Sequence, residues 1–347
     1  MSTPWDNFKI AAKLGKPEKV PVALIVDSPW LPGYSKIDTR DYFLFPDKWL
    51  EINKGLLTRF PDVAWIPGFW VEYGMAAEPS AFGAKMHFHK NSPPSIEPVI
   101  SDFNFWADNI KVINPQEDGF MPLVLRLYET MDERLRADGL GIKMVAARGP
   151  MAVLSWLTGI SPLMMEMAMN PERVSKMLES VTTSLIRWLQ AQLDAIHDPQ
   201  GILLLDDIVG MVSQKHYEEI IHPHLRRIFD AFDSLIRIYH NDTPCGHLYE
   251  SLAEANFDVF NFSHKIDIAE AKQKIGHRAA LMGNVPPLDI GVRGTPEEVA
   301  QWTKNCLDKV GAEGGLIISF GGGVSPDTPE ENIDALVNAV DDWSQNQ

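Results

Sequence analysis

The sequence predicts an α/β chain that closes into a single (β/α)8 barrel. Three observations lead there. Short β-branched or aliphatic runs recur along all 347 residues. They are apolar on both parities, as strands covered on two faces must be. Amphipathic helical patterns lie between them, and strand alternating with helix is the signature of a parallel sheet wrapped by helices.

The runs read, in order, as VPVALIVD (20–27), DVAWIPG (62–68), KMVAARGP (143–150), GILLLDD (201–207), IRIYHND (236–242), DVFNFSH (258–264), AALMGNV (279–285) and GLIISFGGG (315–323). The stretch from 70 to 142 is too long for one crossover helix, so extra structure is expected between strands 2 and 3. After the third strand, Asn170 is placed as an N-cap and Pro171 at the first helical position. Val174, Met177, Leu178, Val181, Leu185, Leu189 and Leu193 then form one helical stripe. Thr295 with Glu298, and Thr328 with Glu331, are read as capping boxes that open the last two helices. No linker rich in Gly or Ser interrupts the chain, so residues 1–347 are read as one domain.

Composition narrows the function. A formal charge of -16 argues against nucleic acid and anionic membranes as partners. The two cysteines, Cys245 and Cys306, exclude a disulfide framework and a four-cysteine zinc site. The start has no basic segment followed by an apolar core, and no run is long enough to span a bilayer. A soluble, cytoplasmic protein is expected, as a monomer or homodimer.

In a barrel of this kind, catalytic groups sit at the C-terminal ends of the strands. Here those ends carry Asp27, Trp70, Arg148, Asp206 with Asp207, His240-Asn241-Asp242, Ser263-His264, Gly283-Asn284 and Gly321-Gly322-Gly323. His240 and Asp242 share a strand face with Ile238, while Tyr239 and Asn241 point the other way. Such a pair can share a metal, or act as a base and its orienting acid; the plain alternative is a histidine tied to a turn-capping aspartate. By parity only one of Asp206 and Asp207 faces the barrel. The facing one could be a metal ligand, a proton donor or an anchor for a cation. Arg148 could grip a substrate carboxylate, or pair with one of the many acids. Trp30, Tyr34, Trp70 and Tyr73 suit the wall of a site for a bulky apolar ligand, and serve equally as core. Gly321 and Gly322 leave room for a large ligand. His264 and Asn284 are further candidates for binding substrate. Cys245 could swing in as a metal thiolate, though a free loop thiol is the preferred reading. Cys306 lies on a helical face with Val299, Trp302 and Val310 and is read as core. His87 and His89 alternate in a strand-like segment and are read as an exposed pair.

Several segments carry a family resemblance: AAEPSAFGAKMHF (76–88), ILLLDDIVGMVSQKHYEEIIHPHLRRIFD (202–230), ALMGNVPPLDIGVRGTPEEV (280–299) and IISFGGGVSPDTPEENIDALVNAV (317–340). Together they resemble the uroporphyrinogen decarboxylase superfamily. That group includes the decarboxylase and zinc-dependent methyltransferases that exchange methyl groups with corrinoids. The resemblance places Glu78 at the family's glutamate, which lies near the metal in the methyltransferases; Glu72 competes for that assignment. Two departures stand out. VDSPWLPGYSKID has no arginine before Arg40, whereas the porphyrin decarboxylases grip substrate carboxylates from an arginine-rich segment there. The methyltransferases have His-x-Cys at the fifth strand end and a second Cys in the last strand. Here stand His240-Asn241-Asp242 and Gly321-Gly322-Gly323.

What the resemblance implies is a methyltransferase acting between a small substrate and a corrinoid, free or on a partner protein. With both family thiolates absent, zinc is either lost or rebuilt on His and carboxylate ligands, for which His240, Asp242 and Glu78 are the candidates. The runner-up is a cofactor-free decarboxylase of a smaller acid, with Arg148 on the carboxylate and Asp206 or Asp207 as proton donor. A non-catalytic tetrapyrrole or corrinoid carrier is the third reading.

Overall fold

The structure is a computed structural model and describes residues 2–74 and 76–345. Each of the eight apolar runs holds one strand: β1 Val22–Ile25, β2 Val63–Ile66, β3 Met144–Arg148, β4 Gly201–Leu205, β5 Ile236–Asn241, β6 Val259–Phe262, β7 Ala280–Val285 and β8 Leu316–Phe320. They form one parallel sheet in the order β2-β1-β8-β7-β6-β5-β4-β3. This is the expected (β/α)8 barrel with one seam. β2 and β3 are not hydrogen-bonded to each other.

Alternation sorts the strand residues into two cores. Ala23, Ile25, Ala64, Ile66, Ala146, Leu203, Leu205, Ile238 and Met282 pack inside the barrel. Their neighbours Leu24, Trp65, Val145, Leu204, Tyr239 and Leu281 join the helix layer. An element absent from the sequence reading closes the bottom. Helix Pro4–Ala12 opens with a Thr3–Asp6 capping box. It sends Phe8, Ala11 and Ala12 into the interior core. Trp5 ties its start to the foot of β4 by donating from Nε1 to Gln200 Oε1 at 2.6 Å.

The extra structure expected after strand 2 is present. It comprises helix Ala77–Ala81, a hairpin of Lys85–His87 with Ser95–Glu97, and helices Phe103–Asn109 and Met121–Ala137. His87 and His89 lie on the hairpin against Glu97 and Ser95; His89 is exposed as expected, whereas His87 is half-buried. The expected stripe on helix Pro171–Asp194 is buried throughout. The caps differ. Asn170 precedes that helix but its side chain bonds no first-turn amide. Thr295 and Glu298 do form their box. Thr328 and Glu331 do not: the last helix starts at Glu330, and the Thr328 hydroxyl donates to Ser325 O at 2.8 Å. No single helix is long and apolar enough to cross a membrane among the described residues.

Phe8 is fully buried in the barrel floor. Phe8→Ala should destabilise the protein by about 3–5 kcal/mol, since a large ring leaves a cavity the strands cannot collapse around. Chemical denaturation measures this; a loss under about 1 kcal/mol would mean that the helix does not plug the barrel.

Candidate functional site

Strand register sets the ring of side chains at the mouth. Arg148 pairs with Leu205, Leu205 with His240, and His240 with Asn261. Two residues below, Ala146, Leu203, Ile238 and Val259 lie in the interior core. By the two-residue repeat, all four of the upper residues therefore face inward. Arg148 and His240 are buried, at 7% and 5% exposure.

Asn261 fixes the chemistry of His240. Its Nδ2 donates to Met282 O at 2.9 Å and to Phe320 O at 3.0 Å. The amide oxygen is thereby turned to His240 Nδ1, 2.6 Å away. An amide oxygen only accepts, so Nδ1 must carry a proton. In the neutral ring, Nε2 then presents a lone pair to the mouth. It lies 3.4 Å from Asp207 Oδ1. Asp242 joins them, its backbone amide donating to Asp207 Oδ1 at 3.1 Å. Partial desolvation at the rim and then the Asp207 charge raise the Asp242 carboxyl, against the pull of His240.

One ligand atom from each of Asp207, His240 and Asp242 lies within 4.8 Å of the others. One imidazole nitrogen and two carboxylates make a donor set that suits a divalent ion, zinc included. A Cβ at Gly322 would come to 3.0 Å from Asp242 Oδ2, so glycine keeps that side of the group open. The residues present fit a metal, although the thiolates of the resembling methyltransferases are absent.

The two aspartates after β4 divide as parity requires. Asp207 faces the mouth. Asp206 is fully buried on the other side, where it accepts from the amides of Met151 at 3.0 Å and Ala152 at 2.8 Å. Those amides open helix Pro150–Thr158, so Asp206 serves as an acceptor at that helix N-terminus. Burial pushes its carboxyl up, to about 8, while the two amides hold it down. The expectation of a catalytic Asp206 is therefore corrected: its oxygens are engaged in the helix layer.

Glu78 is also placed away from the metal group. β3 lacks a strand partner at the seam, and Glu78 Oε1 accepts from the Arg148 amide there at 3.0 Å. Burial raises its carboxyl. Glu72 stands within reach of the Asp27 and Arg148 charges. Its Oε1 accepts from the Ser28 amide at 2.6 Å, and its Oε2 is buried without a partner. Burial, then the Asp27 charge, pushes the Glu72 carboxyl up to about 8. Burial takes Asp27 to about 6, opposed by Arg148 and then His240.

Other candidates fall outside the mouth. Trp30 stacks on Tyr34 at 4.5 Å and on Trp65 at 6.2 Å, and its Nε1 donates to Thr328 O. Trp65 points outward from β2, so Trp30 and Tyr34 belong to the helix layer and line no site. Tyr73 packs with Phe43, Phe88 and Phe120 near the hairpin. Trp70 does point into the barrel, its ring centroid 5.3 Å from the guanidinium of Arg148. The Asn284 amide donates to Ser263 O and Ile266 O, and its oxygen faces the Cys306 thiol. His264 shares a cavity of about 320 Å³ with these two, beside helix Pro296–Val310. A Cβ at Gly321 would strike His264 N at 2.6 Å, so that glycine permits close backbone packing. Cys245 is a free thiol in the loop after β5, as preferred, and it is fully buried in the outer core, where burial pushes it up to about 12. Cys306 is core, as expected.

Sequence reading missed Asn261. Its signal was a lone amide on the inward parity of DVFNFSH, a costly placement unless it serves a polar partner. Asp27 was noted at a strand end but given no role.

Asn261→Leu should weaken zinc binding by about 10–100-fold with the fold retained, because the amide acts on the ligand His240 from behind. Asp206→Ala should leave zinc affinity unchanged. It should instead cost roughly 1–3 kcal/mol for each amide left unpaired. Competitive zinc titration and denaturation separate the two. Equal zinc affinity in Asn261→Leu and wild type would remove Asn261 from the site.

Comparison with known proteins agrees with this architecture. The family model described as uroporphyrinogen decarboxylase (URO-D) matches residues 6–343. Curated relatives named uroporphyrinogen decarboxylase include those of Pseudoalteromonas translucida, 26% identical over 281 residues, and Dechloromonas aromatica, 28% identical over 288 residues. Each alignment covers 77% of this chain and 76% of the relative. Among solved structures, a methyltransferase from Methanosarcina mazei superposes with a TM-score of 0.84 over 99% of both chains, at 19% identity. At that identity the likeness speaks for the fold alone. The family match spans almost the whole sequence, and the chain belongs to the uroporphyrinogen decarboxylase family.

Proposed function

We propose that the protein is a metal-assisted methyltransferase that moves a methyl group between a small substrate and a corrinoid, free or carried on a partner protein. The observation that carries this reading is the Asp207–His240–Asp242 group, with its ligand atoms within 4.8 Å of one another. These three residues would hold the ion, zinc being the choice that fits the imidazole and carboxylate donors. When bound, the ion supplies a Lewis acid that polarises the methyl donor or lowers the pKa of the acceptor. The chain does the rest. Asn261 keeps the His240 Nε2 lone pair aimed at the mouth. Gly322 leaves space beside Asp242. Apolar Leu205 and Trp70 flank the approach and exclude water. The name of the M. mazei neighbour is in keeping with this reading, and monomer and homodimer are both compatible with it.

Decarboxylation of a smaller acid is the second reading, favoured by one observation. Glu72, with its carboxyl raised to about 8, holds a proton at neutral pH close to Arg148. It replaces Asp206 and Asp207 as the donor such a reaction would need. Uroporphyrinogen itself should not be turned over, because no arginine precedes Arg40 near the β1 end.

Protein purified without chelators should hold about one equivalent of zinc and demethylate methylcobalamin in the presence of a suitable acceptor. His240→Ala should lose both metal and transfer, since water replaces imidazole poorly. Asp242→Cys should tighten zinc, thiolate being the stronger ligand. Metal-free protein that releases carbon dioxide from small acids would establish the second reading instead.

A further inference from the structure

We propose that the mouth takes a substrate with a carboxylate at one end, seated on Arg148, an apolar body over Leu205, and its reacting group beside His240. The identity of that reacting group, a methylated heteroatom, rests on the methyl-transfer reading; the carboxylate seat does not.

The argument begins with an unpaired cation. Arg148 faces inward at 7% exposure. Its Nε is buried with no hydrogen-bond partner. Among the described residues no carboxylate oxygen lies within 4.0 Å of its guanidinium nitrogens, so it makes no ion pair. A buried guanidinium without partners is costly, and a planar fork matches a carboxylate in two-pronged fashion. Trp70 backs the group at 5.3 Å and fixes its orientation without using its N–H donors.

The neighbouring acids do not fill the role of counter-ion. Glu72 keeps its proton at neutral pH, and its Oε2 is also unpartnered. Asp27 and Glu78 also feel the Arg148 charge but lie beyond contact with its guanidinium, and Asp207 and Asp242 are gathered at His240. The cavity behind Arg148, between Trp70, Glu72, Glu78 and Trp188, is only about 10 Å³. That holds about one water and no ligand. By register the guanidinium belongs to the same inward-facing ring as His240.

Register gives the length. Arg148, Leu205 and His240 are lateral neighbours on β3, β4 and β5. Strands lie about 4.8 Å apart, so the arginine and the histidine stand about 10 Å apart along the wall. Leu205 between them is apolar and buried. A carboxylate on a body the size of one benzene ring spans that gap.

Calorimetric titration of the zinc-loaded protein tests the seat. The probes are 4-methoxybenzoate and 3-(4-methoxyphenyl)propanoate, each against methoxybenzene, which lacks the charge. At least one acid should bind the wild type ten or more times tighter than methoxybenzene. Arg148→Gln should remove that difference while methoxybenzene binds as before. Arg148→Lys, which keeps the charge and loses the fork, should fall several-fold and serves if Arg148→Gln does not fold. If neither acid binds better than methoxybenzene, or if both variants bind the acid as wild type does, Arg148 only offsets Asp27 and the proposal is wrong. If an acid binds through Arg148 but its methyl group never reaches cob(I)alamin, the seat stands and the methyl-transfer reading falls.

Discussion

The site depends on one amide. Asn261 spends both N–H donors on the backbone carbonyls of Met282 and Phe320, and this leaves its oxygen no orientation except toward His240. Those carbonyls belong to β7 and β8, two and three strands round the barrel from His240 on β5. The sheet itself thus dictates which imidazole nitrogen is protonated. Every chemical role proposed for His240 follows from that. A ring with its proton on the other nitrogen could neither bind a metal at the mouth nor accept a proton there. The amide is fully buried, so no water competes for its oxygen.

A second constraint is the seam. A sheet that stops short of closure leaves edge amides unpaired, and a buried unpaired amide is expensive. The inserted segment after β2 answers this with side chains. The Arg148 amide goes to Glu78, and the Val71 amide goes to the Tyr128 hydroxyl at 3.3 Å. The Ser28 amide, at the neighbouring β1 end, goes to Glu72. Two buried glutamates are therefore explained by backbone accounting before any catalysis is invoked. Glu72 has an oxygen to spare, buried and without a partner.

The fold was legible because it rests on pattern. Strands covered on both faces must be apolar throughout, and eight such runs survive in the sequence without ambiguity. The His240–Asp242 side was legible for the same reason, since parity is local. What parity could not give was the partner across the sheet. Asn261 lies 21 residues from His240 and meets it only through register. Asp206 and Glu78 sit away from the metal group because the donors to their carboxylates are backbone amides, which no sequence displays. Trp30 and Tyr34 were misread because they follow a strand end but turn out over Trp65 into the helix layer. The floor helix was overlooked because Trp5, Phe8, Ala11 and Ala12 form a short stripe at the very start of the chain.

The two cysteines allow a direct test of the account. Both are buried, in the outer core and behind β7, and neither thiol joins the group of Asp207, His240 and Asp242. A metal held as described has only nitrogen and oxygen neighbours. X-ray absorption at the zinc edge of the loaded protein should show a first shell at about 2.0–2.2 Å with an imidazole contribution and no sulfur. A sulfur shell at about 2.3 Å, or zinc without imidazole scattering, would contradict the assignment of the centre to these three residues.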